Sequence, residues 1–239
     1  MPDLLHVDAV TNAAIAVLHY PARRPRNVQI IAGHGYSSSK HNLDFLCAFL
    51  AGHGIDVWSF DFPGHKLGAS GGLLRGIDDC IDAMEAVVAH ARVAAPTMAT
   101  YTMGHSMGAM TALFCAARNA ELQGAIAITT GYGRPSAIAA LQRAGASDFR
   151  SAWVNGVTLP DLVADAETYF QRHLPQLAGR DVLYIAGARD AMVSPKSVQE
   201  LFERAPEPKT FVTIDSDHTT AAENAKSTIL AWLHERHPR

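Results

Sequence analysis

"MGHSMGAM", residues 103–110, places one serine, Ser106, between Gly104 and Gly108. The strand pattern "MATYTM" runs into it, and an alanine-rich helical pattern from Met107 to Arg118 follows. Side chains at the glycine positions would collide where strand and helix meet, so the glycines permit a sharp, strained turn. Such a turn exposes its serine at the carboxyl end of the strand, where open α/β sheets bind ligands. The stretch predicts a nucleophilic serine, and a glycine-rich turn that carries no chemistry is the alternative.

Strand-like and helix-like segments alternate along most of the chain. This alternation predicts an α/β fold with a mostly parallel, eight-stranded sheet and helices on both faces. The first two predicted strands have no helix between them, so we expect them to form an antiparallel edge. The predicted strands span residues 4–9, 13–20, 27–33, 55–62, 98–103, 124–130, 181–187 and 209–215.

The alternation stops between Gly131 and Arg180. This segment contains two helix-like pieces, "SAIAALQRA" and "DLVADAETYFQRHL", with no strand pattern between them. We therefore predict a core of residues 1–130 and 181–239, and a helical cap or lid insertion of residues 131–180 above the sheet.

Composition and short motifs exclude several classes of function. Hydrophobic residues make up 48% of the 239 and charged residues 18%, as in one well-packed globular domain. The net charge of −3 and the lack of a basic cluster longer than "ARRPR" argue against binding to nucleic acid. There is no Cys-x-x-Cys or His-Glu-x-x-His metal motif, and neither "GHGYSSSK" nor "GYGRPS" completes a nucleotide-binding motif. We expect no metal, no organic cofactor and no nucleic-acid partner.

The compartment is predicted from the cysteines and the apolar runs. Cys47, Cys80 and Cys115 each lie in an apolar helix-like stretch, which is typical of buried free thiols in a reducing compartment. No apolar run reaches the roughly 18 to 20 residues that span a bilayer, and the N-terminus lacks the basic region of a signal peptide. We expect a cytoplasmic protein without a membrane span; nothing in the sequence specifies its oligomeric state.

A serine nucleophile needs a histidine to accept its proton and a carboxylate to orient that histidine. Of twelve histidines, His218 is the best placed, because it lies in the loop between the last predicted strand and the final helix. Asp190 follows the strand "DVLYIAG", and Ser194 with Pro195 already supplies the start of the next helix, so Asp190 is free for catalysis. Asp215 and Asp217 are alternative acids, although they lie very close to His218 in sequence.

The order Ser106, Asp190, His218, each after a separate strand, is that of the α/β-hydrolase superfamily. The sequence resembles its serine esterase and lipase branch, in the monoacylglycerol-lipase-like or serine-aminopeptidase-like group, over nearly the whole chain. The resemblance implies that the His-Gly pair after an early strand makes the Tyr36 N–H one oxyanion-hole donor. The Met107 N–H, in the first turn of its helix, is the other.

Two further features near the site carry predictions. "DFPGHKLGAS", residues 61–70, departs from the family pattern because Lys66 stands at an expected glycine and the Gly-x-Ser element moves to Gly68–Ser70. We expect a remodelled loop beside the pocket. Thr220 and Glu223 have the spacing of a capping box, which predicts how the final helix begins.

Together these features predict a serine hydrolase that cleaves a small carboxylic ester or thioester through an acyl-enzyme intermediate. A thioesterase or acyltransferase, and a non-catalytic ligand receptor on the same fold, are the alternatives. The insertion supplies apolar residues for a pocket or for docking onto the sheet: Ile138, Leu141, Trp153, Leu159, Tyr169 and Phe170. Its arginines, which are either solvated or able to meet an anionic carrier, are Arg134, Arg143, Arg150 and Arg172.

Overall fold

The computed structural model describes residues 2–8, 14–133 and 149–238. Its strands are β1 Asp3–Asp8, β2 Ala14–Tyr20, β3 Val28–Gly33, β4 Asp56–Phe60, β5 Ala99–His105, β6 Gly124–Ile128, β7 Asp181–Gly187 and β8 Lys209–Ile214. They form one sheet in the order β1-β2-β4-β3-β5-β6-β7-β8. As predicted, β1 and β2 pair antiparallel at one edge, while β3 to β8 run parallel.

Helices cover both faces of the sheet. They are α1 Asp44–Gly52, α2 Ile77–Ala94, α3 Met107–Arg118, α4 Leu159–His173, α5 Pro195–Arg204, α6 Ala221–Asn224 and α7 Lys226–Arg236. Helices α1, α6 and α7 pack on one face, and α2 to α5 pack on the other. None of the described helices is long and apolar enough to cross a bilayer.

Two hydrophobic cores result, one on each face, because successive side chains of a strand point in opposite directions. In β7, Leu183 and Ile185 join the core beneath α1 and α7, whereas Val182 and Tyr184 join the core beneath α2 to α5. The near-continuous apolar strands of the sequence are explained by burial on both faces. All three cysteines are free and buried in these cores, as predicted.

The predicted insertion, residues 131–180, is described at residues 131–133 and from Phe149 onward. The predicted helix at residues 136–144 lies outside the described residues, as do Arg134, Ile138, Leu141 and Arg143. The second predicted helix is α4, which begins where Thr158 Oγ1 accepts the Asp161 N–H. Phe170 of α4 packs against Phe114 of α3 at a ring distance of 4.9 Å. Residues such as Leu162 and Phe170 therefore dock α4 onto the core.

The predicted capping box at Thr220 is wrong. Thr220 has a helical backbone and its side chain makes no cap hydrogen bond. Instead, Asp217 Oδ1 accepts the Thr220 N–H at 2.9 Å and the Thr220 hydroxyl at 2.8 Å. The Asp217 carboxylate, three residues upstream, thus binds the Thr220 N–H that Glu223 would accept in a capping box, and it also binds the Thr220 hydroxyl. The turn before the helix is therefore capped by Asp217.

Candidate active site

Ser106 lies at the junction of β5 and α3 in a strained conformation, with φ 55° and ψ −111°. A Cβ at Gly104 would lie 2.1 Å from the Gly108 carbonyl carbon, and one at Gly108 would lie 2.1 Å from the Gly33 oxygen. Only glycine fits at either position, which is the steric role predicted from the sequence. The Ser106 N–H donates to the Ile128 oxygen at 2.9 Å, which ties the turn to β6. The sheet therefore holds Ser106, with its strained positive φ, at its carboxyl edge.

Asp190 and His218 meet at the same edge. His218 Nδ1 lies 2.7 Å from Asp190 Oδ2, and both residues are buried. The other oxygen, Oδ1, accepts the Met192 N–H at 2.8 Å and the Val193 N–H at 2.7 Å. Burial raises the pKa of Asp190, but the hydrogen bonds from His218 and these two N–H groups outweigh it, so the pKa lies below its usual value. Asp190 therefore presents an ionised oxygen to His218, and it also has the local structural role that its sequence context did not predict.

The loops that carry this pair are joined beyond the ends of β7 and β8. The Ala188 N–H donates to the Ile214 oxygen at 2.8 Å, and the Arg189 N–H donates to the Ser216 oxygen at 2.9 Å. A Cβ at Gly187 would lie 2.8 Å from the Ser216 oxygen, so glycine lets the two loops approach. Asp190 and His218 are consequently held by one continuous hydrogen-bonded ladder.

The two alternative acids do not reach the His218 ring. Asp215 forms an exposed ion pair with Arg189. Asp217 accepts hydrogen bonds within the turn before α6, where the Thr220 N–H and neighbouring hydroxyls lower its pKa to about 2. Within the described residues, Asp190 is the carboxylate that contacts His218.

Ser106 lines two cavities, and His218 lines one of them. We call the first the polar cavity, after the polar groups that distinguish it from the second: it measures about 220 Å³. Its lining combines the polar residues Ser37, Ser38, Asn42, Arg150, His218 and Thr219 with apolar residues such as Leu43, Leu159, Met192 and Ala222. We call the second the apolar slot: it measures about 20 Å³ and its lining includes Met107, Met110, Leu162, Val163, Ala166 and Phe170. Within the described residues, Ser106 makes no hydrogen bond to His218, a contact that often tightens only when substrate binds.

The two predicted oxyanion donors belong to different segments of the chain: Met107 directly follows Ser106, and Tyr36 lines a cavity that Ser106 also lines. Met107 is the first residue of α3, where N–H groups have no partner within the helix. Tyr36 lines the polar cavity, and its hydroxyl donates to the Val157 oxygen at 2.9 Å, which anchors the loop after β3 to the insertion.

His34, directly before that loop, is excluded as a proton acceptor by its own contacts. Its Nδ1–H donates to the Gly35 oxygen at 2.8 Å, and its Nε2 accepts the Phe62 N–H at 3.1 Å. Burial, and then the neighbouring His65, lower the pKa of His34 to about 3. His34 is therefore a neutral structural side chain.

Sequence reasoning missed His105, which precedes the serine. His105 Nε2 donates to the His218 oxygen at 2.8 Å, and the two rings lie 4.7 Å apart. A hypothetical Cβ on Gly35 would lie 3.4 Å from His105 Nδ1. His105 thus links the strand end that carries Ser106 to the His218 loop, and its ring lies close to Gly35; its position beside Ser106 was the available signal.

The unusual "GHKLGAS" loop closes around Asp61. A Cβ at Gly68 would lie 2.5 Å from Asp61 Cγ, the Ala69 N–H donates to Asp61 Oδ2 at 2.7 Å, and Ser70 Oγ donates to the Asp61 backbone oxygen at 2.7 Å. The displaced Gly-x-Ser element therefore wraps this carboxylate. The Lys66 side chain is exposed, and its Nζ donates to the Ala152 oxygen at 2.7 Å. The remodelled loop therefore contacts the predicted insertion.

Asp61 also anchors the loop after β3 through Lys40, a pair that the sequence analysis did not identify. Lys40 Nζ lies 2.6 Å from Asp61 Oδ2, and the Lys40 N–H donates to Asp61 Oδ1 at 2.7 Å. Both side chains are buried. Burial raises the pKa of Asp61, but these hydrogen bonds and the one from Ala69 hold it below its usual value.

Replacing Lys40 by methionine should lower the free energy of unfolding by about 3 kcal/mol, because it leaves a buried carboxylate without its cation. Urea unfolding of wild type and variant measures the difference. The double variant Lys40→Met/Asp61→Asn removes both charges and should recover part of the loss. A cost below about 1 kcal/mol, the value for exposed pairs, would contradict this account.

Within the described residues, no group of three metal-ligating side chains could hold a metal ion.

A comparison with family models bears on this geometry. The model described as "Serine aminopeptidase, S33" matches residues 24–176, well over half of the chain. The chain belongs to this α/β-hydrolase family. The match includes the elbow at Ser106 and the loop of Tyr36, and it ends before Asp190 and His218.

Solved structures share the fold of this S33-family hydrolase over almost its whole length. An esterase from Pyrococcus furiosus aligns with a TM-score of 0.73 at 18% identity, covering 99% of this chain and 89% of that one. Est1E from Butyrivibrio proteoclasticus, with bound ferulic acid, gives 0.75 at 18% identity, with 96% and 99% covered. An α/β hydrolase from a Penicillium species gives 0.73 at 17% identity, with 99% of both chains covered. No curated protein matches the chain. These likenesses confirm the predicted fold.

Proposed function

We propose that this hydrolase cleaves a small carboxylic ester through an acyl-enzyme intermediate on Ser106. The observation that carries the proposal is the placement of Ser106, on a strained elbow, beside the cavity lined by His218, whose Nδ1 is bound to Asp190. Asp190 fixes the proton of His218 on Nδ1, so Nε2 is free to act as a base toward the serine. The assignment of roles follows from this geometry.

Acylation begins when Ser106 Oγ attacks the ester carbonyl carbon and His218 Nε2 takes the hydroxyl proton. The Met107 and Tyr36 N–H groups stabilise the oxyanion of the tetrahedral intermediate. The bond to the leaving oxygen then breaks, His218 returns its proton to that oxygen, and the alcohol departs. Asp190 stabilises the transient imidazolium.

Deacylation repeats these steps with water. His218 takes a proton from water as the water oxygen attacks the acyl carbon, and the same N–H groups hold the second oxyanion. The bond to Ser106 Oγ breaks, the serine regains its proton from His218, and a carboxylic acid is released.

The similar structures support an ester as the substrate. The Pyrococcus furiosus protein is an esterase, and Est1E was solved with ferulic acid, a carboxylic acid. A peptide with a free amino terminus is the second candidate, because the family description names an aminopeptidase and Glu167 lines the otherwise apolar slot. A carboxylate on the acyl side is the group that would pair with a substrate ammonium.

A fluorophosphonate probe and a substrate panel test the proposal. We expect the probe to label Ser106, as located by peptide mass spectrometry, and simple 4-nitrophenyl esters to be hydrolysed. Leucine 4-nitroanilide is the arm for the second candidate, and faster turnover of the anilide than of any ester would favour a peptidase. Labelling with no turnover of any panel member, together with tight ligand binding, would favour a receptor.

Two further arms separate the thiol and transfer alternatives. Acyl-coenzyme A thioesters of the same acyl groups should be cleaved no faster than the oxyesters. Added methanol should divert only a minor share of the acyl-enzyme to methyl ester. Dominant formation of methyl ester in water would identify an acyltransferase instead.

A further inference from the structure

The two cavities that Ser106 lines differ in charge and polarity, and His218 belongs to the described lining of only one of them. We infer that the apolar slot takes a short, apolar acyl group and that the polar cavity takes a leaving group carrying an anion, with Arg150 as its recognition residue. This inference rests on the proposed function.

The direction of the substrate follows from the proton that His218 must deliver. In acylation, His218 protonates the leaving oxygen, so the leaving group has to extend into the space that His218 lines. The lining of the polar cavity includes His218 and Thr219, whereas that of the apolar slot includes Met107 and Met110 from the start of α3. The acyl group therefore points into the slot.

The slot suits a small apolar group. It lies between α3 and α4, and its lining is mainly apolar, with Met110, Leu162, Ala166 and Phe170, while Glu167 is a charged residue of the same lining. At about 20 Å³ it has room for a group of roughly the size of one water molecule before its side chains move. The flexible side chains of Met107 and Met110 can repack around a few methylene groups, so we expect the slot to accept acyl groups from acetyl to butanoyl.

The polar cavity suits an anion. Hydroxyl and amide groups come from Ser37, Ser38, Asn42 and Thr219, and the described lining contains Arg150 but no aspartate or glutamate. Arg150 is half-buried, and its Nη1 lies 3.7 Å from the sulfur of Met192, which lines the same cavity. Within the described residues it forms no ion pair with a carboxylate. A guanidinium that no carboxylate of the described residues pairs with, and that lies beside hydroxyl donors, is able to bind a carboxylate or phosphate bidentately.

The test uses two esters that differ in one charge. 4-Carboxyphenyl butanoate has an anionic leaving group, and 4-carbamoylphenyl butanoate is its neutral isostere. Each kcat/KM is divided by the hydroxide-catalysed rate of the same ester, which corrects for leaving-group reactivity. For the wild type, we expect the corrected ratio of anionic to neutral ester to be about 10 at low salt and to fall as ionic strength rises.

Arg150→Gln should lower that ratio about tenfold, mainly through KM. Arg172→Gln is the matched control, since Arg172 is an exposed arginine of α4 that is not part of either cavity lining. It removes the same charge from the same insertion and should leave the ratio unchanged. An equal fall with Arg172→Gln, or a wild-type preference for the neutral ester, would overturn the inference.

Ala166→Leu tests the orientation independently. It adds bulk to the slot and should lower kcat/KM for the butanoate relative to the matching acetate, without moving the anionic-to-neutral ratio. The reverse pattern, in which Ala166→Leu moves the charge ratio and Arg150→Gln the acyl ratio, would reverse the assignment. Turnover of the neutral ester and labelling of Ser106 test the proposed ester hydrolysis, whereas the two rate ratios test the substrate orientation. Failure of one can therefore be distinguished from failure of the other.

Discussion

Replacing Ser106 by alanine should lower kcat for ester hydrolysis by about six orders of magnitude, the cost of losing the nucleophile in serine hydrolases of known mechanism. Alanine keeps the shape of the elbow and removes only the oxygen that would form the acyl-enzyme. Steady-state turnover of a 4-nitrophenyl ester measures the loss, and the fluorophosphonate probe should no longer label the protein.

The fold of the alanine variant is checked by its thermal unfolding midpoint, which should stay close to that of the wild type. Ser227→Ala is the control, because Ser227 is exposed on α7 and its loss should leave kcat unchanged. A Ser106→Ala protein that retains more than about 1% of wild-type kcat is incompatible with a covalent role for Ser106.

Asp190→Asn should lower kcat about 10⁴-fold without unfolding the protein, by analogy with other serine triads. The reason lies in the two hydrogen bonds to Oδ1. That oxygen accepts the Met192 and Val193 N–H groups, so an asparagine at this position must keep its carbonyl there and turn its NH₂ toward His218. The NH₂ donates to Nδ1, the ring proton moves to Nε2, and His218 loses its capacity to accept the serine proton.

Asp215→Asn is the matched control for this change. Asp215 pairs with Arg189 on the surface and does not contact the His218 ring, so its loss should leave kcat close to wild type. If Asp215→Asn were the more damaging of the two, the acid of the site would have been assigned to the wrong aspartate.

The wild type and the Asp190→Asn variant should also differ in their stability toward acid. The pKa of Asp190 is lowered in the folded state, so its contribution to stability is complete above the pKa of an unfolded aspartate, about 3.9, and is lost as the pH falls through its lower folded value. The stability advantage of wild type over Asp190→Asn should therefore be constant near neutral pH and shrink below about pH 4. Urea unfolding across this range measures it, and an advantage that grows on acidification would contradict the assigned shift.

The sequence predicted those parts of the molecule that depend on local pattern. Continuous apolar strands followed by polar loops located the sheet. The glycines around Ser106 predicted a tight turn, and the structure shows that a Cβ at Gly104 or Gly108 would clash with the backbone there. Parallel strands deliver their following loops to one edge, so Asp190 and His218 could be paired from topology alone.

Other contacts could not be predicted, because they depend on which side chains become buried together. Lys40 and Asp61 lie 21 residues apart, and a lysine in a polar stretch gives no sign that it will enter the interior beside an aspartate. The Thr220 pattern failed for a related reason, since a local motif does not reveal that Asp217 competes for the same donors. His105 was overlooked because its partner is a backbone oxygen 113 residues away.

The ladder between the loops after β7 and β8 holds Asp190 and His218, the proposed acid and base, near the edge of the sheet. Among the described residues, β8 is the last strand and pairs only with β7, and its side chains are mostly half-buried. Edge elements with few buried contacts open at a lower free-energy cost than central strands do. Thermal inactivation of this hydrolase is therefore expected to begin with fraying of β8, which would withdraw His218 while the strand that carries Ser106 is still folded.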